Sequence, residues 1–412
     1  MSAQCMKQFL DVQRSRSGSL GGYTDGFAAD LTAKGYASET TKYKVRLVAH
    51  FGEWLALQPL ELEALSPGVV EEFLRHRSHR WVIRAGDAAT LMGLLEHLRE
   101  SGALPSRSAQ APSGQVLPVD LKFERYLVRE RGLARPTVVN YLLRVRHFLS
   151  VRFGAGPVRL DDLCSADVTG FILQHARNMA PRTASVMVSA LRSFFRFLRF
   201  EGVIKVDLAG AVLTIANWRL TEIPKSLEPA EVDTLLACSK SEGAIGLRDH
   251  AILLLLSRLG LRSGEVVALT LDDLDWDSGQ ITVHGKGLRT MQLPIPQDVG
   301  NALASYLRHG RPMCSDRRVF IRSRAPHVGF SSSVAICNVV RRALTRAGLS
   351  PARKGAHLLR HSLAIRMLRS GASLAQIGDV LGHQSPSATE IYAKVDIGSL
   401  HALAQPWPGG VS

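Results

Sequence analysis

No stretch of this chain is apolar for long enough to cross a bilayer. The most apolar run, Ala251 to Leu256, is closed by His250 on one side and by Ser257-Arg258 on the other, whereas a spanning helix needs about 20 apolar residues. Met1 to Ser19 hold no apolar core of the kind a secretory leader carries, which argues against export. Cysteine is scarce: five residues, Cys5, Cys164, Cys238, Cys314 and Cys337, scattered and never spaced C-x-x-C. That pattern excludes a disulfide framework and a zinc ribbon, and it fits reduced thiols in a cytoplasmic protein. The chain also lacks the phosphate-cradling G-x-x-x-x-G-K-[ST] loop, the H-E-x-x-H metalloprotease helix and an acidic metal cluster, so no metal or nucleotide cofactor is expected. Acidic side chains are outnumbered, 36 against 51 Lys and Arg, for a net charge of +15 and a pI near 10.0. Such a surplus favours a polyanionic partner, because each neutralised phosphate releases condensed counterions. By itself it fits nucleic acid, an anionic membrane surface or a merely basic soluble protein.

What the chain does have is room for several domains, with 412 residues of which 46% are hydrophobic. Two stretches break the helical periodicity: one rich in Ser, Gly, Pro and Ala around Ser101 to Gln115, and one with two prolines from Ala216 to Pro229. They delimit a flexible start (1–20), a first helical block (21–104), a linker (105–116), a second helical block (117–206), a second linker (207–228), a third block (229–398) and a tail (399–412). The first two blocks echo one another. Tyr43, Arg46, Leu62, Leu65, Val70 and Phe73 recur at an offset of 98 as Tyr141, Arg144, Leu160, Leu163, Val168 and Phe171. Leu91, Leu95, Leu98, Arg99, Gly102 and Leu104 recur at an offset of 100 as Leu191, Phe195, Leu198, Arg199, Gly202 and Ile204. A nearly fixed offset over this length points to a duplicated unit of about four helices, the alternative being chance agreement of amphipathic helices. In the second block, apolar spacing predicts helices over 120–131, 137–151, 165–176 and 183–200. The last of these carries Arg192, Arg196 and Arg199 on one face, either a solvated face or a phosphate-contacting one.

The third block reads as helical with one small antiparallel sheet. Helices are expected over 231–238, 247–259, 263–269, 297–308, 332–347, 357–370 and 373–381, with the last helical stretch holding Tyr392. Strands are expected over 271–274, 280–284 and 290–293, around the Asp277-Ser278-Gly279 turn and Gly285-Lys286-Gly287. The overall fold class is thus mainly α with a small antiparallel β-sheet, an α+β arrangement. Five short motifs stand in order along this block: Gly260-Leu261-Arg262-Ser263-Gly264-Glu265, Gly285-Lys286-Gly287, His357-Leu358-Leu359-Arg360-His361, Leu381-Gly382-His383 and Ile391-Tyr392-Ala393-Lys394. Singly each has a plain reading. Arg262 reads as a salt bridge to Glu265, Lys286 as a surface lysine in a glycine turn, the histidines as structural, and Tyr392 as a half-buried amphipathic residue. Together they supply what breaking a phosphodiester with a protein nucleophile needs. Planar guanidinium forks bind two oxygens, proton donors serve the leaving group, and a phenol attacks. A zinc site from His357, His361 and His383 is the competing pattern, opposed by the positive charge of Arg360 between its ligands.

That ordered series resembles the catalytic domain of the tyrosine recombinases, the phage-integrase family. The second block resembles the small helical core-binding domain that precedes it and closes over duplex DNA to make a clamp. The resemblance implies that Arg262 and Arg360 hold the scissile phosphate and that His383 hydrogen-bonds it. It implies that Lys286 protonates the leaving 5′-oxygen, that His357 assists proton movement at the tyrosine, and that Tyr392 attacks to leave a 3′-phosphotyrosyl enzyme. Glu265 would orient Arg262, and His361 is expected to face elsewhere and to pack or hydrogen-bond structurally. It further implies a tetramer, of one chain or mixed with related recombinases, acting on specific double-stranded DNA sites. The doubled helical block suggests integration, excision or transposition of a mobile element. Dimer resolution, a site-independent type IB-like topoisomerase and a catalytically inactive DNA-binding accessory protein are the alternatives. Two features depart from the pattern: Leu358 after His357, and Val206-Asp207-Leu208 where the family often carries Asn-Pro. Ile397, Leu400 and Leu403 would form either a tail helix that docks on a neighbouring protomer or a cap on their own domain.

Overall fold

The computed structural model describes residues 20–58, 60–79, 81–105, 118–154, 156–215, 223–285, 290–383 and 385–395. The expected flexible start up to residue 19, Lys286 and the tail with Ile397, Leu400 and Leu403 lie outside them. The chain separates into two compact units, Arg107–Thr221 and a second made of Met1–Ser106 with Glu222–Ser412.

The first block comprises α1 (Gly21–Ala33), α2 (Ser38–Leu55), a 3-10 turn (Leu62–Ala64), α3 (Pro67–Ser78) and α4 (Asp87–Glu100). The second repeats that order: α5 (Pro118–Arg129), α6 (Arg135–Phe153), a 3-10 turn (Leu160–Asp162), α7 (Ser165–Ala176) and α8 (Pro181–Phe200). Prolines in the first turns of α6 and α8 fit there because those N–H groups have no helical partner. The matching positions are buried in both blocks: Leu65 and Leu163, Val70 and Val168, Phe73 and Phe171, Leu91 and Leu191, Leu98 and Leu198. The last helices end alike. Gly102 and Gly202 take the left-handed conformation (φ 78° and 71°). Beyond them the N–H groups of Ala103 and Val203 donate to the carbonyls of Leu98 and Leu198, both at 2.9 Å.

Each block has its own core, the first built on Phe27, Phe51, Trp54 and Phe73, the second on Phe123, Phe148, Phe171, Phe194 and Phe195. The second core does not stop at residue 206. Leu208, Ala209 and Val212 are buried in it, so residues 207–215 belong to the helical block and not to a linker. Burying those three side chains removes apolar surface from water, which a free linker would leave exposed.

The third block is organised around α10. Following α9 (Pro229–Ser239), α10 (Ala244–Arg258) buries Ala251 through Leu256 on every side, as a helix apolar all round must. It packs on α12 (Gln297–His309), α13 (Val334–Arg346) and α14 (Ala356–Arg369). The short α11 (Ser263–Ala268) leads into the sheet β1 (Leu274–Asp275), β2 (Gln280–His284), β3 (Thr290–Pro294), antiparallel in that order. Ile281 pairs with Leu274 and Leu293 in adjacent strands, and all three face the core. Residues 271–273, expected as strand, form a 3-10 turn instead. Asp273 accepts at 2.8 Å from the Thr270 N–H and at 2.7 Å from its hydroxyl, closing a turn that an extended chain would open.

The chain finishes with α15 (Leu374–Leu381) and two 3-10 turns, Pro386–Ala388 and Glu390–Val395. Tyr392 therefore sits on a turn of its own, not on the last helix. Among the described residues no helix is long and apolar enough to cross a membrane.

Candidate active site

The pocket is assembled by two glycine-ended helices. The chain leaving α10 turns at Gly260 with φ 64°, where a Cβ would lie 2.6 Å from Leu381 and 2.9 Å from Leu363. Only a residue without a side chain makes that turn at no cost. Helix α15 begins with a capping box, Ser373 accepting from the Gln376 N–H and Gln376 accepting from the Ser373 N–H. It ends at Gly382, also left-handed at φ 59°. These two turns present three carbonyls to two arginines. Arg360 donates from Nη1 to Gly260 O and from Nη2 to Leu381 O, both at 2.6 Å, and Arg262 donates from Nη2 to Gly382 O at 3.2 Å.

Glu265 fixes Arg262 twice. One carboxylate oxygen accepts from its backbone N–H and the other from its Nη1, both at 2.7 Å. This is the first-turn position of α11, where a carboxylate also meets the positive end of the helix. Arg262 itself stays partly open, with 37% of its side chain accessible. Arg360 is different. It is 4% exposed, and among the described residues no carboxylate lies within 4.0 Å of it. Burial, with the neighbouring Arg262, pushes its pKa down to about 10. Only two of the five N–H donors of a guanidinium are engaged by the Gly260 and Leu381 carbonyls. Glu265 offsets part of the pKa lowering, but a buried cation with no carboxylate in contact is costly, and an anion docking there relieves the cost.

Tyr392 closes the pocket, 1% exposed. Its ring lies parallel to that of His383 with centroids 6.4 Å apart, and edge-on to His361 at 5.6 Å. Burial pushes the phenol up to about 12, and Arg360 and Arg262 pull it the other way. His383 is held through Nδ1 to the Thr389 hydroxyl at 2.6 Å, and burial holds it neutral with a pKa down to about 4.

The structure thus brings Arg262, Glu265, Arg360, His383 and Tyr392 together. His357 is exposed at the first turn of α14, its ring 6.3 Å from that of His361. Lys286 falls outside the described residues, between β2 and β3. His361 does not face elsewhere: its Nδ1 is 2.8 Å from the Tyr392 hydroxyl. Its signal in the sequence was one helical position after a buried arginine. Position alone does not say that a turn thirty-one residues later folds back onto it.

Arg192, Arg196 and Arg199 line one side of an open groove of about 600 Å³ on the second block. Arg192 donates to Val212 O at 2.9 Å and Arg199 pairs with Asp207 at 3.2 Å, so both hold the segment that follows α8. Arg196 is exposed and makes no ion pair with the described residues.

Residues 225–398 match the phage integrase family and residues 121–202 match the N-terminal SAM-like domain of phage integrases. The "putative integrase/recombinase y4rA" of Sinorhizobium fredii is 41% identical over 409 residues, covering 98% of this chain and 99% of its own. The "tyrosine recombinase XerD" of Mycobacterium tuberculosis is 31% identical, covering 69% of this chain and 94% of its own. Among solved structures, the XerH site-specific recombinase bound to a palindromic difH substrate shares the fold at TM-score 0.54 and 19% identity. That match covers 70% of this chain and 84% of that one. The Tn1549 transposon integrase does so at TM-score 0.52 and 18% identity, covering 69% and 99%. This chain belongs to the phage integrase family and is a tyrosine-type site-specific recombinase.

Proposed function

We propose that this recombinase cuts and rejoins duplex DNA through a 3′-phosphotyrosyl intermediate on Tyr392, without metal or nucleotide. The observation that carries the reading is the buried Arg360, which has no carboxylate partner among the described residues and sits beside Arg262 and the Tyr392 phenol. A phosphodiester supplies the missing negative charge, and more of it as the phosphorus becomes pentavalent, so the site favours the transition state over the ground state. Arg262 and Arg360 bind the non-bridging oxygens, with Glu265 orienting the first. His383 hydrogen-bonds the phosphate, and His357, exposed at the rim, assists proton movement. Lys286, between β2 and β3 in the chain, protonates the leaving 5′-oxygen. Covalent storage of the phosphoester in the tyrosine leaves the 5′-hydroxyl free to reverse the reaction or to accept a new partner strand.

In this reading a tetramer of recombinase protomers in the cytoplasm holds two specific DNA sites. The second block, with Arg196 free to meet phosphate, contacts the duplex as well. The first block, matching the second in its helix order and in the turn after its last helix, is a duplicate of that core-binding domain and adds DNA contact. Integration, excision or transposition of a mobile element is the biological role this supports. The names of the relatives point the same way, "integrase/recombinase" for the full-length match and "transposon integrase" for a fold neighbour. Dimer resolution by the same chemistry is the alternative biological role.

The test uses nicked duplexes tiled across the DNA flanking the gene, incubated without Mg²⁺ and resolved on a denaturing gel. Wild type is expected to give a covalent protein–DNA band that Tyr392→Phe lacks. DNA binding without an adduct on any duplex overturns the reading in favour of a non-catalytic DNA-binding protein.

A further inference from the structure

We propose that His361 is the base that takes the proton from the Tyr392 hydroxyl as that oxygen attacks phosphorus. The inference rests on Tyr392 being the nucleophile. A phenol whose pKa burial has raised to about 12 exists almost wholly as the neutral form at pH 7. The O–H bond must therefore break as the P–O bond forms, and a proton acceptor has to stand within hydrogen-bond reach. His361 Nδ1 stands there, 2.8 Å from the hydroxyl oxygen, with its ring edge-on to the phenol.

The groups around it keep that nitrogen able to accept. Burial, then His357 and Arg360 on its own helix and Arg353 just before it, hold the His361 pKa down to about 4. The imidazole is consequently neutral at pH 7, and in its Nε2–H tautomer Nδ1 presents a lone pair to the phenol. Among the described residues, His383 and Tyr392 also face it, from the end of α15 and from the tyrosine turn. The His383 ring, though parallel to the phenol, has its own Nδ1 engaged by Thr389. His357 lies one turn earlier on α14.

The step balances without any added reagent. The Tyr392 O–H proton moves to His361 Nδ1, and the oxygen lone pair forms the bond to phosphorus. The bond from phosphorus to the 5′-oxygen breaks, and that oxygen takes a proton from the Lys286 ammonium. On religation the imidazolium returns its proton to the departing phenolate.

The test measures single-turnover adduct formation by the full-length protein on the nicked duplex that wild type cleaves. His361→Asn keeps an acceptor atom near the position of Nδ1 but is not basic, and His361→Ala removes it. Both are expected to lose about 100-fold in cleavage rate with DNA affinity unchanged in a mobility-shift assay. The rate of His361→Ala should climb about tenfold per pH unit, as the phenolate has to form beforehand. Replacing Tyr392 by the more acidic 3,5-difluorotyrosine should restore at least tenfold of the loss in His361→Ala, and less in wild type. A contact that merely positions the ring predicts neither the pH slope nor that rescue. His361 variants cleaving within threefold of wild type, cleaving faster, or unrelieved by difluorotyrosine overturn the proposal. Should His361→Ala fail to fold, His361→Asn carries the same comparison. If wild type itself forms no adduct on any duplex, the nucleophile assignment falls first, and that outcome is distinct from a wild type that cleaves no better than its His361 variants.

Discussion

Two groups of arginines, one buried and one exposed, account for positive charge differently in this protein. On α8, Arg192 and Arg199 hold their own chain, through the Val212 carbonyl and the Asp207 carboxylate, and Arg196 lines the same open groove with no ion pair to the described residues. In the tyrosine pocket, Arg360 is almost inaccessible and has carbonyls but no carboxylate against it among the described residues. An exposed arginine is cheap, because water solvates it and salt screens it. A buried one needs a reason, and a bound anion is the simplest. The pocket, not the more conspicuous basic face, is where charge has been placed at a cost in stability.

The sharpest way to break that contrast is to keep the charge and change its shape. Arg360→Lys retains a cation, but a point charge cannot bridge the Gly260 and Leu381 carbonyls and grip two phosphate oxygens at once. Adduct formation should fall by 100-fold or more, in the range seen on removing one such donor, with DNA affinity dropping far less in a mobility-shift assay. Equal losses in both would mean that Arg360 only helps to hold DNA.

On α8 the expected effects are smaller and split by partner. Arg196→Ala should weaken DNA binding several-fold and flatten the dependence of log affinity on log salt by about one. Arg192→Ala should leave that slope closer to wild type and instead lower the melting temperature, since it frees the 207–215 segment from the core. Titrations at three salt concentrations, with thermal melts of the same samples, distinguish the two.

The smallest effect is acid sensitivity, and it should belong to the pocket alone. His361 and His383 ordinarily titrate near 6.5 but are held down to about 4 in the fold. Between those values the unfolded chain binds more protons than the folded one, so stability falls as pH drops from about 6.5 toward 4. The transition of the catalytic block should move down progressively across that window, at about 2–4 °C per kcal/mol lost. Substituting both histidines by Asn should flatten that trend, and Arg196→Ala should not.

The two helical blocks make a second comparison. Their helices follow the same order, and Phe73 and Phe171, or Leu98 and Leu198, occupy equivalent core positions. Yet where α8 carries Arg192, Arg196 and Arg199, the matching positions on α4 are Met92, Glu96 and Arg99, and Arg99 is paired with Glu96 at 3.0 Å. The shared core pattern preserves the architecture, whereas the exposed face is free to change. Deleting the first block therefore tests a different surface from the one on α8.

Much of this was open to reading from the chain itself. Periodicity placed the helices to within a few residues, because an apolar stripe repeats where a helix must bury one face. The repeat between the blocks was legible for the same reason. Less legible were places where neighbours in space outvote neighbours in sequence. Residues 271–273 turn because Asp273 reaches back to Thr270, and Leu208 and Val212 are core because α8 offers them a surface. Order and residue type along the chain determined which groups were candidates for the site: Arg262, Glu265, Lys286, His357, Arg360, His383 and Tyr392. Tertiary structure alone decided that Arg360 is buried with no carboxylate in contact among the described residues, that Gly260 and Gly382 turn their carbonyls toward the two arginines, and that His361 meets the phenol. Burial and hydrogen bonding between segments distant in sequence depend on which surfaces the chain brings together, and that is a property of the folded core.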